Sequence, residues 1–148
     1  MNTTVPAPKR PNRILYTMLR VADLDRSIDF YSKALGLKEV RRETFPDGEF
    51  TLVFLGYGDS EDEALIELTY NWGSGSYNLG NGYGHIAFEV DDIYATQAYL
   101  ESIDIPMTRP AGPMMFAPEE TGHKEIIAFF EDPDGYKIEL IETAGREI

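Results

Sequence analysis

The sequence predicts an α+β fold built twice from a strand–helix–strand–strand–strand unit. Three observations predict it. ILYTMLRV followed by DLDRSIDFY near the start is echoed mid-chain by GHIAFEV followed by DDIYATQAYL. Both halves then close on one strand grammar, ALIELTY and YKIELIE, in which a glutamate stands between isoleucine and leucine. Finally, 148 residues that are 43% hydrophobic, with 8 Phe and 9 Tyr, suffice for one domain-sized core and are too apolar for a disordered chain.

The elements follow in order. ILYTMLRV has the length and the β-branched, apolar content of a strand. Asp23 or Asp25 caps a helix in which Ile28, Tyr31 and Leu35 recur at helical spacing, and Gly36 is placed to end it. LKEVRRET is the next strand, PDGE a tight turn, and FTLVFLGY and ALIELTY complete the half. NWGSGSYNLGNGYG, residues 71–84, holds five glycines and reads as a flexible joining loop. GHIAFEV opens the second half, Asp91 or Asp92 caps a helix through IYATQAYLES, and IPMTRP reads as a short strand. EIIAFFE, the turn DPDG and YKIELIE finish it. Between IPMTRP and EIIAFFE, PAGPMMFAPEETGHK is long for a connection and marks a functional loop or lid. The expected divisions are a flexible N-terminal segment 1–12, a first module 13–70, a linker 71–84, a second module 85–142 and a tail 143–148.

Charge narrows the partners. The formal net charge of −13, from 13 basic and 26 acidic residues, opposes binding to nucleic acid or to an anionic membrane. An anionic substrate therefore needs a local basic group working against the global field. Without cysteine, disulfides and thiolate metal sites are excluded. The opening MNTTVPAPKRPNR has no apolar run like a signal peptide, and no stretch approaches the length of a membrane span, so a cytoplasmic location is expected.

Aligned on the repeat, Tyr16 falls on His85, and Ile66-Glu67-Leu68 falls on Ile138-Glu139-Leu140. Two such halves imply modules packed around a shared cleft. Alternate strand residues face opposite sides, so each glutamate points away from its aliphatic neighbours. Taken singly, each glutamate fits the wet face of a half-buried strand. Taken together they occupy matching positions, and His85 opens the first strand of the second half on the same face as Ala87. One histidine with two glutamates is a nitrogen-and-oxygen donor set suited to a divalent transition metal.

TMLRV with SIDFY, then IELTYNWG, YGHIAF and EDPDGYKIELIE, resemble the glyoxalase I (lactoylglutathione lyase) family of the vicinal oxygen chelate superfamily, in one order across residues 13 to 142. The resemblance implies paired βαβββ modules forming a curved mixed sheet, and a homodimer whose active sites lie between modules of two chains. It implies isomerisation of the glutathione hemithioacetal of methylglyoxal to S-lactoylglutathione, with a divalent metal, Ni2+ or Zn2+, held at the positions of Tyr16, Glu67, His85 and Glu139. Such a reaction takes a carbon-bound proton beside a carbonyl, for which a free carboxylate is far too weak a base. A metal acting as a Lewis acid stabilises the charge that develops, and a glutamate carries the proton from one carbon to the next. By resemblance Glu139 is the principal base and Glu67 serves the opposite face. Arg20 and Asn71 match positions that contact glutathione. Arg20 shares its strand face with Tyr16 and Met18, and an arginine fork suits a carboxylate.

Two places depart from the family. Its members usually carry histidine, or glutamine in one branch, where this chain has Tyr16. A neutral phenol, with a pKa of ~10, is a poor ligand for Ni2+ or Zn2+. Three arrangements are open: three protein ligands with waters, a phenolate that completes a site of altered preference, or a weak or empty site. An isomerase and a same-fold protein that sequesters a small molecule therefore stand as alternatives. A ring-cleaving dioxygenase, which wants two histidines and one glutamate, fits poorly. The second departure is the long loop. Met114-Met115 stand where the family often has a lysine that holds a glutathione carboxylate, and Lys124 is the expected substitute, so Met115 and Lys124 join the substrate-binding candidates. His123 reads as a solvated loop residue.

Overall fold

The computed structural model describes residues 4–9, 11–58 and 63–143. Part of the expected N-terminal segment and all of the tail after residue 143 lie outside the described residues. The first module comprises β1 (Tyr16–Arg20), α1 (Leu24–Leu35), β2 (Lys38–Phe45), β3 (Phe50–Gly56) and β4 (Leu65–Asn71). The second comprises β5 (His85–Val90), α2 (Ile93–Ser102), β6 (Arg109–Pro113), β7 (Ile126–Glu131) and β8 (Lys137–Glu142). Each module forms its own four-stranded mixed sheet, ordered β1-β4-β3-β2 and β5-β8-β7-β6. In each, the first and last strands pair in parallel and the remaining neighbours are antiparallel. The fold is α+β with the repeated unit expected from the sequence.

Register makes the repeat physical. Tyr16 lies opposite Leu65 and Met18 opposite Glu67, while His85 lies opposite Lys137 and Ala87 opposite Glu139. The two glutamates are thus at the same point of the same strand pair.

Local chemistry explains the helix ends. The Asp23 carboxylate accepts from the Arg26 amide at 3.0 Å, and that of Asp92 accepts from the Ala95 amide at 3.1 Å, so these two residues are the N-caps. Gly36 closes α1 at φ 70°, a left-handed conformation that glycine adopts without a Cβ clash, and its amide donates to the Ser32 carbonyl.

Strand alternation puts Leu19, Val53, Ile66 and Leu68 of the first sheet on one face, and Phe130, Ile138 and Leu140 of the second on another. With Tyr31, Ile93 and Leu100 of the helices they form one continuous core across both modules. The DPDG turn is part of that junction. Tyr31 donates to Asp132 Oδ2 at 2.6 Å, Asp132 Oδ1 accepts from the amides of Asp134 and Tyr136, and Asp134 accepts from the Ala22 amide at 3.0 Å. Burial pushes the Asp132 carboxyl above its ordinary range, and the Tyr31 hydrogen bond opposes that shift.

One strand starts later than expected. IPMTRP was to be a strand, but the strand begins at Arg109 and runs to Pro113. The Ile105 amide bonds back to the Leu100 carbonyl, so the start of this segment is held by the end of α2, and pairing toward β7 begins with the Thr108 amide, which donates to the Phe129 carbonyl at 2.8 Å. The true strand is organised by side chains: the Arg109 guanidinium donates to the carbonyls of Gly112 at 2.8 Å and Ile127 at 2.9 Å, and Gln97 Oε1 accepts from the Ala111 amide. Among the described residues no helix is long and apolar enough to cross a membrane.

Candidate active site

Opposite the core, each sheet presents an outward face. On the first, Tyr16, Met18 and Arg20 of β1 lie beside Leu65, Glu67 and Thr69 of β4. Phe54 of β3 pairs with Glu67, and Arg41 of β2 pairs with Phe54. The rings of Tyr16 and Phe54 meet edge-on, with centroids 5.0 Å apart, and the Arg41 guanidinium lies over the Phe54 ring at 4.0 Å. Arg41 Nε also stands 3.8 Å from Glu43. Amid this aromatic and cationic neighbourhood Glu67 is only 7% exposed, unlike the wet strand face its sequence context allows. Burial pushes its carboxyl above the ordinary carboxylate range, the Glu43 charge pushes the same way, and Arg41 opposes both.

On the second face, His85 Nε2 lies 3.1 Å from Glu139 Oε1. The His85 ring meets Phe129 edge-on at 5.1 Å, and Phe129 pairs with Glu139 across β7 and β8. Here the carboxylate is more open: the Glu139 side chain is 12% exposed and that of His85 is 41% exposed.

The chemistry of this pair fits a cation. Two donors that each bind a metal at ~2.1 Å sit about 3 Å apart, and an imidazole nitrogen with a carboxylate oxygen is a suitable set. Glu67 offers a further oxygen on the first sheet. Tyr16 fits less well, since its ring is packed against Phe54 and a phenol must lose its proton to bind strongly. Within one chain, no group of three or more His, Asp or Glu side chains able to hold a metal gathers among the described residues. Tyr16 and Glu67 stand on the first sheet, and His85 and Glu139 on the second.

Arg20 and Asn71 stand at the ends of β1 and β4 on the first outward face. Arg20 is anchored from the second module, where the Tyr136 hydroxyl donates to its carbonyl at 2.8 Å. Asn71 Nδ2 donates to the Tyr77 hydroxyl at 3.1 Å. Met115, Lys124 and His123 are exposed on the loop between β6 and β7, and among the described residues no hydrogen bond or ion pair ties them to the other candidates. Sequence reasoning missed Phe54, Arg41, Phe129 and Tyr77. Alternation along β3 and β7 was a usable signal for the two phenylalanines. Nothing in the glycine-rich stretch marked Tyr77.

Residues 13–140 match the family model described as the Glyoxalase/Bleomycin resistance protein/Dioxygenase superfamily. The chain is 54% identical to the lactoylglutathione lyase of Haemophilus influenzae over 135 residues, covering 91% of this chain and 96% of that protein. It is 48% identical to a probable lactoylglutathione lyase of Synechocystis sp. over 134 residues, covering 90% of this chain and 98% of that one. Among solved structures it resembles glyoxalase I of Zea mays, with TM-score 0.80 and 40% identity over 89% of this chain, and it spans only 45% of the maize chain. It also resembles the trypanothione-dependent glyoxalase I of Leishmania major, with TM-score 0.74 and 44% identity, covering 89% of this chain and 87% of that one.

Proposed function

The chain belongs to the glyoxalase/bleomycin resistance protein/dioxygenase superfamily, and we propose that within it the protein is a lactoylglutathione lyase. It isomerises the glutathione hemithioacetal of methylglyoxal to S-lactoylglutathione. The observation that carries this reading is the contact of His85 with Glu139 at 3.1 Å, with a second glutamate at the equivalent register of the first sheet. A divalent cation, Ni2+ or Zn2+, held by Glu67, His85 and Glu139, would supply Lewis-acid stabilisation of the charge on the two substrate oxygens. Glu139, the more open carboxylate, takes the proton from one substrate carbon and returns it to its neighbour. Glu67 addresses the opposite face of the substrate. Arg20 and Asn71 hold a glutathione carboxylate, which offsets the repulsion expected from a chain of net charge −13.

Because the donors stand on two sheets, the complete set is assembled between two copies of the chain. The functional unit is a homodimer acting in the cytoplasm. Mixing His85→Ala chains with Glu67→Ala chains tests this: recovered activity is expected only if one site draws on both chains. No recovery from correctly exchanged dimers would place each site within one chain.

Metal analysis of the purified protein, run with a methylglyoxal assay in the presence and absence of glutathione, tests the activity. Bound divalent metal and glutathione-dependent turnover are expected. The packing of Tyr16 against Phe54 favours a second reading, a same-fold protein that sequesters the adduct without converting it. Tight binding without turnover would select that one.

A further inference from the structure

Tyr77 lies in the glycine-rich stretch, yet the chain brings it back onto the end of β4. After Asn71, the Ser74 amide donates to the Asn71 carbonyl at 3.0 Å, and Gly73 takes φ 77°, a left-handed turn that glycine permits. The Gly73 amide donates to the Tyr70 hydroxyl at 3.3 Å, which ties the turn to the sheet it leaves. Gly80, at φ 65°, donates its amide to the Asn78 side chain at 3.0 Å, so the far side of the excursion is also shaped by side-chain bonding. The result is the 3.1 Å bond from Asn71 Nδ2 to the Tyr77 hydroxyl, which is half-buried. The neighbouring Ser74 and Asn71 side chains hold this phenol below its ordinary range, and the Arg20 charge adds to that effect. Arg20, Asn71 and Tyr77 are therefore one neighbourhood drawn from β1, β4 and the connection between modules.

An asparagine amide has two N–H donors and one acceptor, and unheld it rotates among several directions. With one N–H committed to Tyr77, the plane of the carboxamide is set. Its remaining N–H and its carbonyl then have defined directions at the end of the sheet where Arg20 also stands. We propose that Tyr77 is a positioning residue for the carboxylate-binding end of the cleft, fixing the Asn71 amide so that Asn71 and Arg20 receive a carboxylate terminus of the thiol substrate as a preformed pair. Preorganisation lowers the ordering cost of binding. This inference rests on the glutathione reading above and adds a residue outside the set expected to touch glutathione.

The test is calorimetric titration with S-hexylglutathione of the wild type, Tyr77→Phe, Asn71→Ala and the double variant. Tyr77→Phe keeps the ring and removes only the hydroxyl. A Kd raised roughly three- to tenfold is expected, the range of one net hydrogen bond. In the Asn71→Ala background the same change should cost nothing more, because Tyr77 acts through that amide. With the diester of S-hexylglutathione, which lacks both carboxylates, wild type and Tyr77→Phe should bind alike. In turnover, KM should rise while kcat holds, since the contact is remote from the reacting carbons. A Tyr77→Phe protein that matches wild type, or a loss that persists with the diester or in the Asn71→Ala background, overturns the proposal. Failure of the wild type to bind S-hexylglutathione overturns the glutathione reading itself and this proposal with it.

Discussion

On the outward face of the first sheet, Glu67 is buried beside Phe54, with Tyr16 and Arg41 both packed on that ring. At the same register of the second sheet, Glu139 is more open and meets an exposed histidine at 3.1 Å. Around the two glutamates the backbone pairing is the same, so pairing is not what separates the two carboxylates. Their neighbours do. Burial and the Glu43 charge raise the proton affinity of Glu67, whereas Glu139 has a histidine nitrogen 3.1 Å away that can share a cation. Repetition of a module thus preserved two positions and assigned them different chemistry. The aligned position of Tyr16 and His85 also differs between the halves.

The largest effect expected is on turnover. Glu139→Gln keeps the shape of the side chain but cannot accept a proton, and kcat should fall by about 10²–10⁴. Glu67→Gln should be milder on the same enantiomer of substrate. Equal losses from the two variants, measured on one enantiomer, would break the comparison by making the carboxylates equivalent.

Next in size is a change that makes the first module copy the second. Tyr16→His replaces a phenol, which must ionise to bind well, by a neutral nitrogen donor. Affinity for Ni2+ or Zn2+ should rise on the order of tenfold or more, read by titrating metal-free protein before and after the substitution. A wild type that already binds as tightly, with no gain in the variant, would mean that Tyr16 is a competent ligand or stands away from the metal.

The smallest expected effect isolates electrostatics. Glu43→Gln removes a charge that raises the Glu67 pKa and leaves Arg41, which lowers it. Glu67 should then titrate at lower pH, as followed by NMR of the metal-free protein. The linked stability has a definite sign. A carboxyl raised in the folded state adds stability that is complete below its unfolded pKa and is lost as pH rises through the folded value. Glu43→Gln should shrink that low-pH contribution. An unmoved titration would mean that the Glu43 charge does not contribute to the Glu67 shift.

Periodicity made the outward faces legible. Alternation along ILYTMLRV and IELTY was enough to place Tyr16, Met18 and Arg20 on one face and Glu67 opposite to Ile66 and Leu68, because side-chain direction in a strand depends only on position parity. The helix caps were legible to within a choice of two aspartates, since capping is a local bond. IPMTRP held only at Arg109-Pro110, for the opposite reason: its β content is local, but the Ile105 amide is taken by the helix and the strand is positioned by Arg109 and Gln97.

By itself, then, the sequence determined the α+β repeat, the matching positions of Glu67 and Glu139, and the departure at Tyr16. These follow from spacing of two and of 3.6, and from residue type at aligned positions. Only the tertiary structure decided which carboxylate is buried, that His85 meets Glu139, and that Tyr77 returns to Asn71. Burial and hydrogen-bond partners depend on which distant segments close over a side chain. Parity along one strand carries no information about them.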